Sequence, residues 1–339
     1  MGSISRHRID IFCGVSQVDY KRYGLPMTLG EKIMHFWKKD IALAEADQES
    51  FDGSIYLPVQ KEITEEILSF QEKLPIVIKG CALGDYAGQP YEFSLLSDCR
   101  DMPRSMIYKK SLDCTDDTIL TCATAKVLLS GKYDYEDAYR KYAKKYNHPL
   151  GGYGARFLAW VYNGIDSNSC GNGSAMRVGP CGCLSNVEDV INEAYKSAVC
   201  THSHPEGIKG AIVTAVCIWM AFHDYTKKEI GDYVDKFYPN SPYAPKVSWK
   251  KMTSYEKIKG NPAVCQTTVP MAVSCFVNSN TFEDCIWKAV QFGWDADTQA
   301  AIAGSIAGPY YMMHCLFSDD SNNAWKTLKE NKYIKEIIT

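Results

Sequence analysis

Residues 293–304 read GWDADTQAAIAG and residues 112–131 read LDCTDDTILTCATAKVLLSG, and both describe a helix entered through a pair of acids. In the first, Asp295 and Asp297 stand at the mouth of an Ala-rich run that favours helix over any other state. In the second, Asp116 and Asp117 open an apolar helix that begins near Thr118 and ends near Gly131. Acids in a first helical turn face the positive end of the macrodipole, a gain of typically about 0.3–1 kcal/mol each. That explains one pair without any function. Two distant segments with the same design, each with a Thr beside its acids, ask for more.

Outward from these stretches, nearly every periodic segment repeats at three and four residues. A Thr-x-x-Glu capping box at Thr28 and Glu31 opens a run through Ile33, Phe36, Trp37 and Ile41. A second run carries Ile63, Ile67, Leu68 and Phe70 and is expected to end near Leu74-Pro75. Further helices are expected at about 117–130, 135–144, 154–163, 187–199, 205–224, 227–237, 266–278, 282–290, 296–314 and 322–337. Sustained alternation is nearly absent, and the short run Ile76-Val77-Ile78 fits a strand or a helix start equally. The reading is an all-α domain over 76–339, with residues 1–75 a helical extension packed on it. The Pro-rich segment 240–263 is expected to be a long excursion that faces substrate or covers it.

Composition excludes several classes. A net charge of −3 gives no general attraction to nucleic acid, so an anionic ligand has to be held locally. Neither a run of about 18 apolar residues nor a charged-then-apolar leader is evident, and a soluble, cytoplasmic protein without membrane contact is expected. The 14 cysteines are scattered through expected helices (Cys122, Cys217, Cys275, Cys315) and read as buried thiols. Cys181-Gly-Cys183 lacks a second pair at zinc spacing, and the side chains of His202-Ser203-His204 point different ways.

Five segments place polar or Gly-rich residues just before an apolar helix: GCALGDYAGQPYEF (80–93), TDDT (115–118), GNGSAMRVGP (171–180), THSHPEGIKGA (201–211) and GWDADTQAAIAG (293–304). Small residues such as Ala300, Ala301, Ala303, Gly304 and Ala307 permit close helix approach. If these helix starts converge, Asp116, Asp117, Asp295 and Asp297 bring up to four negative charges together, which is stable only with cations between them. Hard oxygen ligands suit magnesium, Thr115 and Thr298 add neutral oxygens, and no soft ligand accompanies them. Gly-Asn-Gly-Ser at 171–174 and Gly-Gly-Tyr-Gly at 151–154 let backbone amides approach a phosphate.

Taken in this order, the five motifs resemble the ADP-ribosylglycohydrolases, the family of the dinitrogenase reductase-activating glycohydrolase and the ADP-ribosyl-acceptor hydrolases. The resemblance spans about 76–316. It implies a compact all-α helical bundle with two magnesium ions, manganese being an alternative, and hydrolysis of the bond between ADP-ribose and an acceptor on a protein, a polymer or a small molecule. Carried over residue by residue, it implies that Thr115, Asp116, Asp117, Asp295, Asp297 and Thr298 hold the metals. It also makes Glu92 a mobile catalytic glutamate, with Asp297 serving catalysis as well as the metal. Gly152, Tyr153, Gly154, Asn172, Gly173, Ser174 and His202 are then expected at the ligand, with Asp85 supporting from behind. His204, before Pro205, reads as structural.

One departure is Trp294, where the family often has a second glycine. The indole either narrows the cleft or faces the core. Two other functions fit the same acids: a protein that binds ADP-ribose without cleaving it, and a metal-dependent phosphohydrolase of nucleoside diphosphates. The acceptor and the oligomeric state are not encoded in these motifs.

Overall fold

The computed structural model describes residues 55–58, 68–131, 134–165, 167–312 and 317–339. The expected helix through Ile41, the Ile63–Ile67 part of the second run, and Cys315 lie outside them. In chain order the helices are α1 (Phe70–Gly88), α2 (Leu96–Arg100), α3 (Asp116–Ser130), α4 (Tyr135–Lys145), α5 (Ala155–Asn163), α6 (Gly173–Met176), α7 (Val187–Val199), α8 (Pro205–Phe222), α9 (Lys227–Phe237), α10 (Trp249–Thr253), α11 (Cys265–Val277), α12 (Phe282–Val290), α13 (Ala296–Met312), α14 (Asp319–Leu328) and α15 (Lys332–Ile338). Among the described residues there is no strand; two isolated bridges, Asn168 with His202 and Gly171 with Val264, are the only β pairings. The all-α reading holds.

The centre of the bundle is the antiparallel pair α1 and α13. A Cβ on Gly80 would lie 2.2 Å from the Gly304 carbonyl oxygen, one on Gly84 2.0 Å from that of Ala300, and one on Gly88 2.4 Å from that of Ala296. The two backbones touch along a ladder of small residues four apart in each chain, 80, 84 and 88 against 304, 300 and 296. Ala300, Ile302, Ala303 and Ile306 on α13 and Val77, Ile78, Cys81 and Leu83 on α1 are fully buried around that ladder. Helices α3, α8, α11 and α12 pack outside the pair.

The largest difference from expectation is α1 itself. It does not stop at Leu74-Pro75 but runs through residues 75 and 76, where the extension was expected to give way to the catalytic domain. Pro75 removes only the bond to the carbonyl of Gln71, which is exposed and open to water. Upstream, the Glu72 carboxylate caps the start, accepting from the Ser69 N–H at 2.8 Å and the Ser69 hydroxyl at 2.7 Å. The ambiguous Ile76-Val77-Ile78 is therefore mid-helix.

At the C-terminal end the expected 322–337 helix is two, α14 and α15, divided where Asn331 precedes Lys332. The 240–263 excursion carries α10 and packs its aromatics inward, Trp249 edge-on to Phe292 and Tyr243 edge-on to both Phe292 and Tyr255. Helix α8 is long and apolar enough to cross a membrane, with a mean hydropathy of 1.3, but it is a core helix here, 89% buried in the bundle.

The ladder predicts a sharp contrast between two glycines. Gly84→Ala sets a methyl against a backbone carbonyl that cannot rotate away and should cost about 3 kcal/mol. Gly154→Ala meets nothing within 4 Å, and exchanging an N-cap Gly for Ala should cost no more than about 1 kcal/mol. Urea unfolding of the two variants measures this; equal midpoints would contradict the ladder.

Candidate active site

Helix α3 begins where α1 tells it to. Asp85, wholly buried on α1, accepts from the Thr115 N–H at 3.0 and 2.9 Å, the Thr118 N–H at 3.1 Å and the Thr118 hydroxyl at 2.5 Å. Burial raises its pKa to about 6 despite those donors. These bonds cap α3 from another helix and aim Asp116 and Asp117 at the end of the ladder, where α13 delivers Asp297 and Thr298.

Oxygens of Asp85, Asp117 and Asp297 lie within 4.8 Å of one another. Around them, the hydroxyls of Thr115 (3.0 Å) and Thr298 (3.3 Å) both donate to Oδ2 of Asp117. Its other oxygen, Oδ1, is buried with no hydrogen-bond partner. Asp295 is held from the far side by the Asn172 amide, whose nitrogen donates to it at 2.6 Å and to Thr268 at 3.1 Å.

Burial first, then neighbouring carboxylates, push Asp116, Asp117 and Asp297 well above the usual carboxylate range. The strongest neighbour is Asp85 for Asp116 and Asp117, and Glu92 for Asp297. Asp295 is raised by burial against the Asn172 bond. An unsatisfied buried carboxylate oxygen inside a cluster of mutually repelling acids, with only oxygen ligands, is a fit for a hard divalent cation.

The acids form the floor of a cavity of about 200 Å³. One wall is the Gly151–Gly154 turn, where Gly151 and Gly152 hold φ of 73° and 79°. The positive φ at Gly151 favours glycine, and a Cβ there would lie 2.6 Å from Oε2 of Glu92 and push that carboxylate aside. The opposite wall is the loop entering α6, stitched on two sides by Asn172 N–H to Ala263 C=O at 3.0 Å and Cys265 N–H to Cys170 C=O at 3.0 Å.

Most of the expected site residues meet here. Glu92, Asp116, Asp117, Gly152, Tyr153, Gly154, Asn172, Gly173, His202, Asp295, Asp297 and Thr298 all line the cavity. Three stand behind it. Thr115 is fully buried between Asp85 and Asp117, Asp85 braces α3, and the Ser174 hydroxyl donates to the Gly207 carbonyl at 2.7 Å, tying α6 to α8. His204 caps α8 by accepting from the Glu206 N–H at 3.1 Å. Trp294 is half-buried outside the lining, whereas Phe93 belongs to it. Of the 240–263 excursion only Ala263 reaches the cavity.

Sequence reading passed over Arg156 and Arg177, the two cations of the cavity. Arg177 is fully buried, its guanidinium 3.8 Å from the Tyr139 ring centre and donating to the Ser197 carbonyl at 2.9 Å and to Thr201 at 2.6 Å. The signal was present as a lone Arg between Met176 and Val178, in a run otherwise apolar. His202 is pushed well below its usual pKa by burial, then by Arg177 and Arg156. All three causes favour the neutral imidazole.

A model of the ADP-ribosylglycohydrolase family matches residues 70–320. The chain belongs to this family. It is 27% identical over 308 residues to the ADP-ribosylhydrolase ARH3 of Mus musculus, covering 70% of this chain and 83% of that protein. It is 24% identical over 279 residues to the ADP-ribosyl-[dinitrogen reductase] glycohydrolase of Rhodospirillum rubrum, covering 76% and 90%. A solved structure described as an ADP-ribosylglycohydrolase-related protein complex superposes with a TM-score of 0.59 at 21% identity, covering 80% of this chain and 99% of that one, a likeness of fold. As an ADP-ribosylglycohydrolase-family chain, it builds the α1–α13 ladder from two of the five quoted motifs and gathers the other three around the end of it that carries Asp297.

The raised aspartates predict how cation and proton compete. The folded state keeps protons that the unfolded chain releases, so their contribution to stability is complete below the usual carboxylate pKa of about 3.9 and is lost as pH rises through the folded-state values. Magnesium that displaces those protons should therefore raise the melting temperature more at about pH 8 than at about pH 5.5. Calorimetry of chelator-treated protein with and without magnesium measures it. No cation effect at either pH would remove the metal reading.

Proposed function

We propose that this chain hydrolyses the glycosidic bond between ADP-ribose and an acceptor, releasing ADP-ribose, with divalent cations held by its aspartates. The observation that supports this best is the floor of the cavity, where Oδ1 of Asp117 is buried without a partner among converging carboxylates. Asp116, Asp117, Asp295 and Asp297 would hold two magnesium ions, or manganese, with Thr298 facing the same space and Thr115 orienting Asp117. Bound there, the cations would supply Lewis acidity and orient ribose hydroxyls and water.

The remaining chemistry belongs to the chain. Glu92 lies against Gly151 at the cavity edge, close enough to Asp297 to raise its pKa, and would hold or move the proton of the attacking water. Asn172 orients Asp295 and, with Gly173 on one wall and the Gly152–Gly154 amides on the other, faces the space that a diphosphate would enter. Arg156 and Arg177 give that space the local positive charge that a chain of net charge −3 needs for an anionic ligand. The free thiols among the described residues agree with a cytoplasmic enzyme.

Incubation of the protein with magnesium and a panel of ADP-ribosylated acceptors separates the readings by product. Intact ADP-ribose is expected; AMP would mean a phosphohydrolase, and tight binding without any product would mean a binding protein. In the same assay Glu92→Gln should lower kcat by about 100-fold or more. ADP-ribose affinity should stay within about tenfold, because proton transfer acts in the transition state. Equal loss of both would make Glu92 a ligand-positioning residue.

A further inference from the structure

We infer that Arg177 and Thr201 are positioning residues that lock His202 as a neutral imidazole with its proton on Nε2, presenting a single N–H donor to the ligand in the cavity. The inference follows from counting protons along a chain of three side chains. A guanidinium only donates, so the 2.6 Å contact between Nη2 of Arg177 and Oγ1 of Thr201 uses the hydroxyl as acceptor. The hydroxyl keeps one proton of its own to give, and Thr201, at the cavity wall, is only 1% exposed. Nδ1 of His202 lies 2.7 Å away and takes it. The neighbouring Cys200 thiol is a weak acceptor and is itself turned to donate to the Ser197 carbonyl at 3.4 Å.

With Nδ1 accepting, a neutral ring carries its proton on Nε2. That nitrogen faces the loop of Gly171 and Gly173, so closely that a Cβ on Gly173 would lie 3.0 Å from it. It has no hydrogen-bond partner within the described protein, although His202 is 7% exposed and lines the cavity. An unpartnered N–H on a side chain more than nine-tenths buried is oriented for an acceptor oxygen that arrives with the ligand. Both arginines near the ring oppose a second proton. His202 therefore donates one hydrogen bond and takes no part in acid–base exchange.

The identity of the ligand oxygen, a phosphate or ribose oxygen of ADP-ribose, rests on the proposed function; the tautomer does not. Two-bond nitrogen–proton correlation spectra of ¹⁵N-histidine-labelled, ligand-free protein should show Nδ1 bare and Nε2 protonated for His202 at neutral pH, with the signal assigned by its loss in His202→Gln. A proton on Nδ1, or on both nitrogens, overturns the inference with no variant needed. Thr201→Val keeps the shape and removes the hydroxyl, and should mix the tautomers and weaken ADP-ribose binding about tenfold. Thr201→Ser should restore both. A folded Thr201→Val protein with the original tautomer and unchanged ADP-ribose affinity also overturns it. If the expected tautomer is seen and ADP-ribose does not bind the unaltered protein, the lock stands and the ADP-ribose reading falls.

Discussion

Backbone contact between α1 and α13 is the constraint on which the site depends. Helices packed through ordinary side chains sit 8–10 Å apart and tolerate some sliding. Here the Gly80, Gly84 and Gly88 backbone rests on the carbonyls of Gly304, Ala300 and Ala296, and nothing soft lies between. Asp85 follows Gly84 by one residue, and Asp297 follows Ala296 by one. A Cβ on Gly88 would lie 2.4 Å from Cα of Asp297. The spacing of these two carboxylates is thus a property of the ladder more than of their own rotamers. Asp85 then transmits it to α3 through its bonds to Thr115 and Thr118, which brings Asp117 to the same point.

That placement concentrates like charge where water is scarce, and only a rigid frame can sustain it. Four of the acids are met by neutral donors that satisfy part of their demand: Thr115 and Thr298 for Asp117, Asn172 for Asp295, the helix start for Asp85 and the Thr298 N–H for Asp297. The donors are too few to neutralise the cluster, so its aspartates hold protons or cations. A preorganised, underneutralised site of this kind gains affinity for a divalent ion because the repulsion is already built in and is relieved on binding.

Much of this was legible in the sequence, since helix periodicity reports burial and paired acids report helix starts. α7, α9 and α12 fall at the expected residues, and the five motifs meet in space. The rest was hidden for identifiable reasons. Pro75 reads as a stop because sequence does not show that the orphaned carbonyl of Gln71 is exposed. The glycines of GCALGDYAG read as a Gly-rich stretch ahead of a helix and lie instead within α1, because glycine serves turns and close helix contact alike and only the partner backbone distinguishes them. Ser174 belongs to the expected ligand wall by its motif, yet one hydrogen bond to Gly207 turns its hydroxyl into the protein. Arg177 and Thr201 act through His202, and such relays depend on contacts between residues that periodicity leaves unconnected.

Trp294 shows how a local departure is absorbed. Gly293 and Trp294 both have positive φ, 62° and 57°, and so does Phe93 at 60°. A left-handed backbone at a bulky residue costs on the order of 1–3 kcal/mol and persists only where the surroundings fix it. They do: the Trp294 N–H donates to the Ser94 carbonyl at 2.8 Å, and the Phe93 N–H donates to the Trp294 carbonyl. The two strained residues clasp each other through their backbones. One of them follows Glu92 directly, and the other precedes Asp295. A shift of the Glu92 loop away from the cavity therefore has to break this pair or carry the Asp295 loop with it. The indole at 294 stands outside the cavity lining, and the clasp that Trp294 shares with Phe93 is made by backbone, whereas the Phe93 residue joins Tyr153 and Phe157 in the lining.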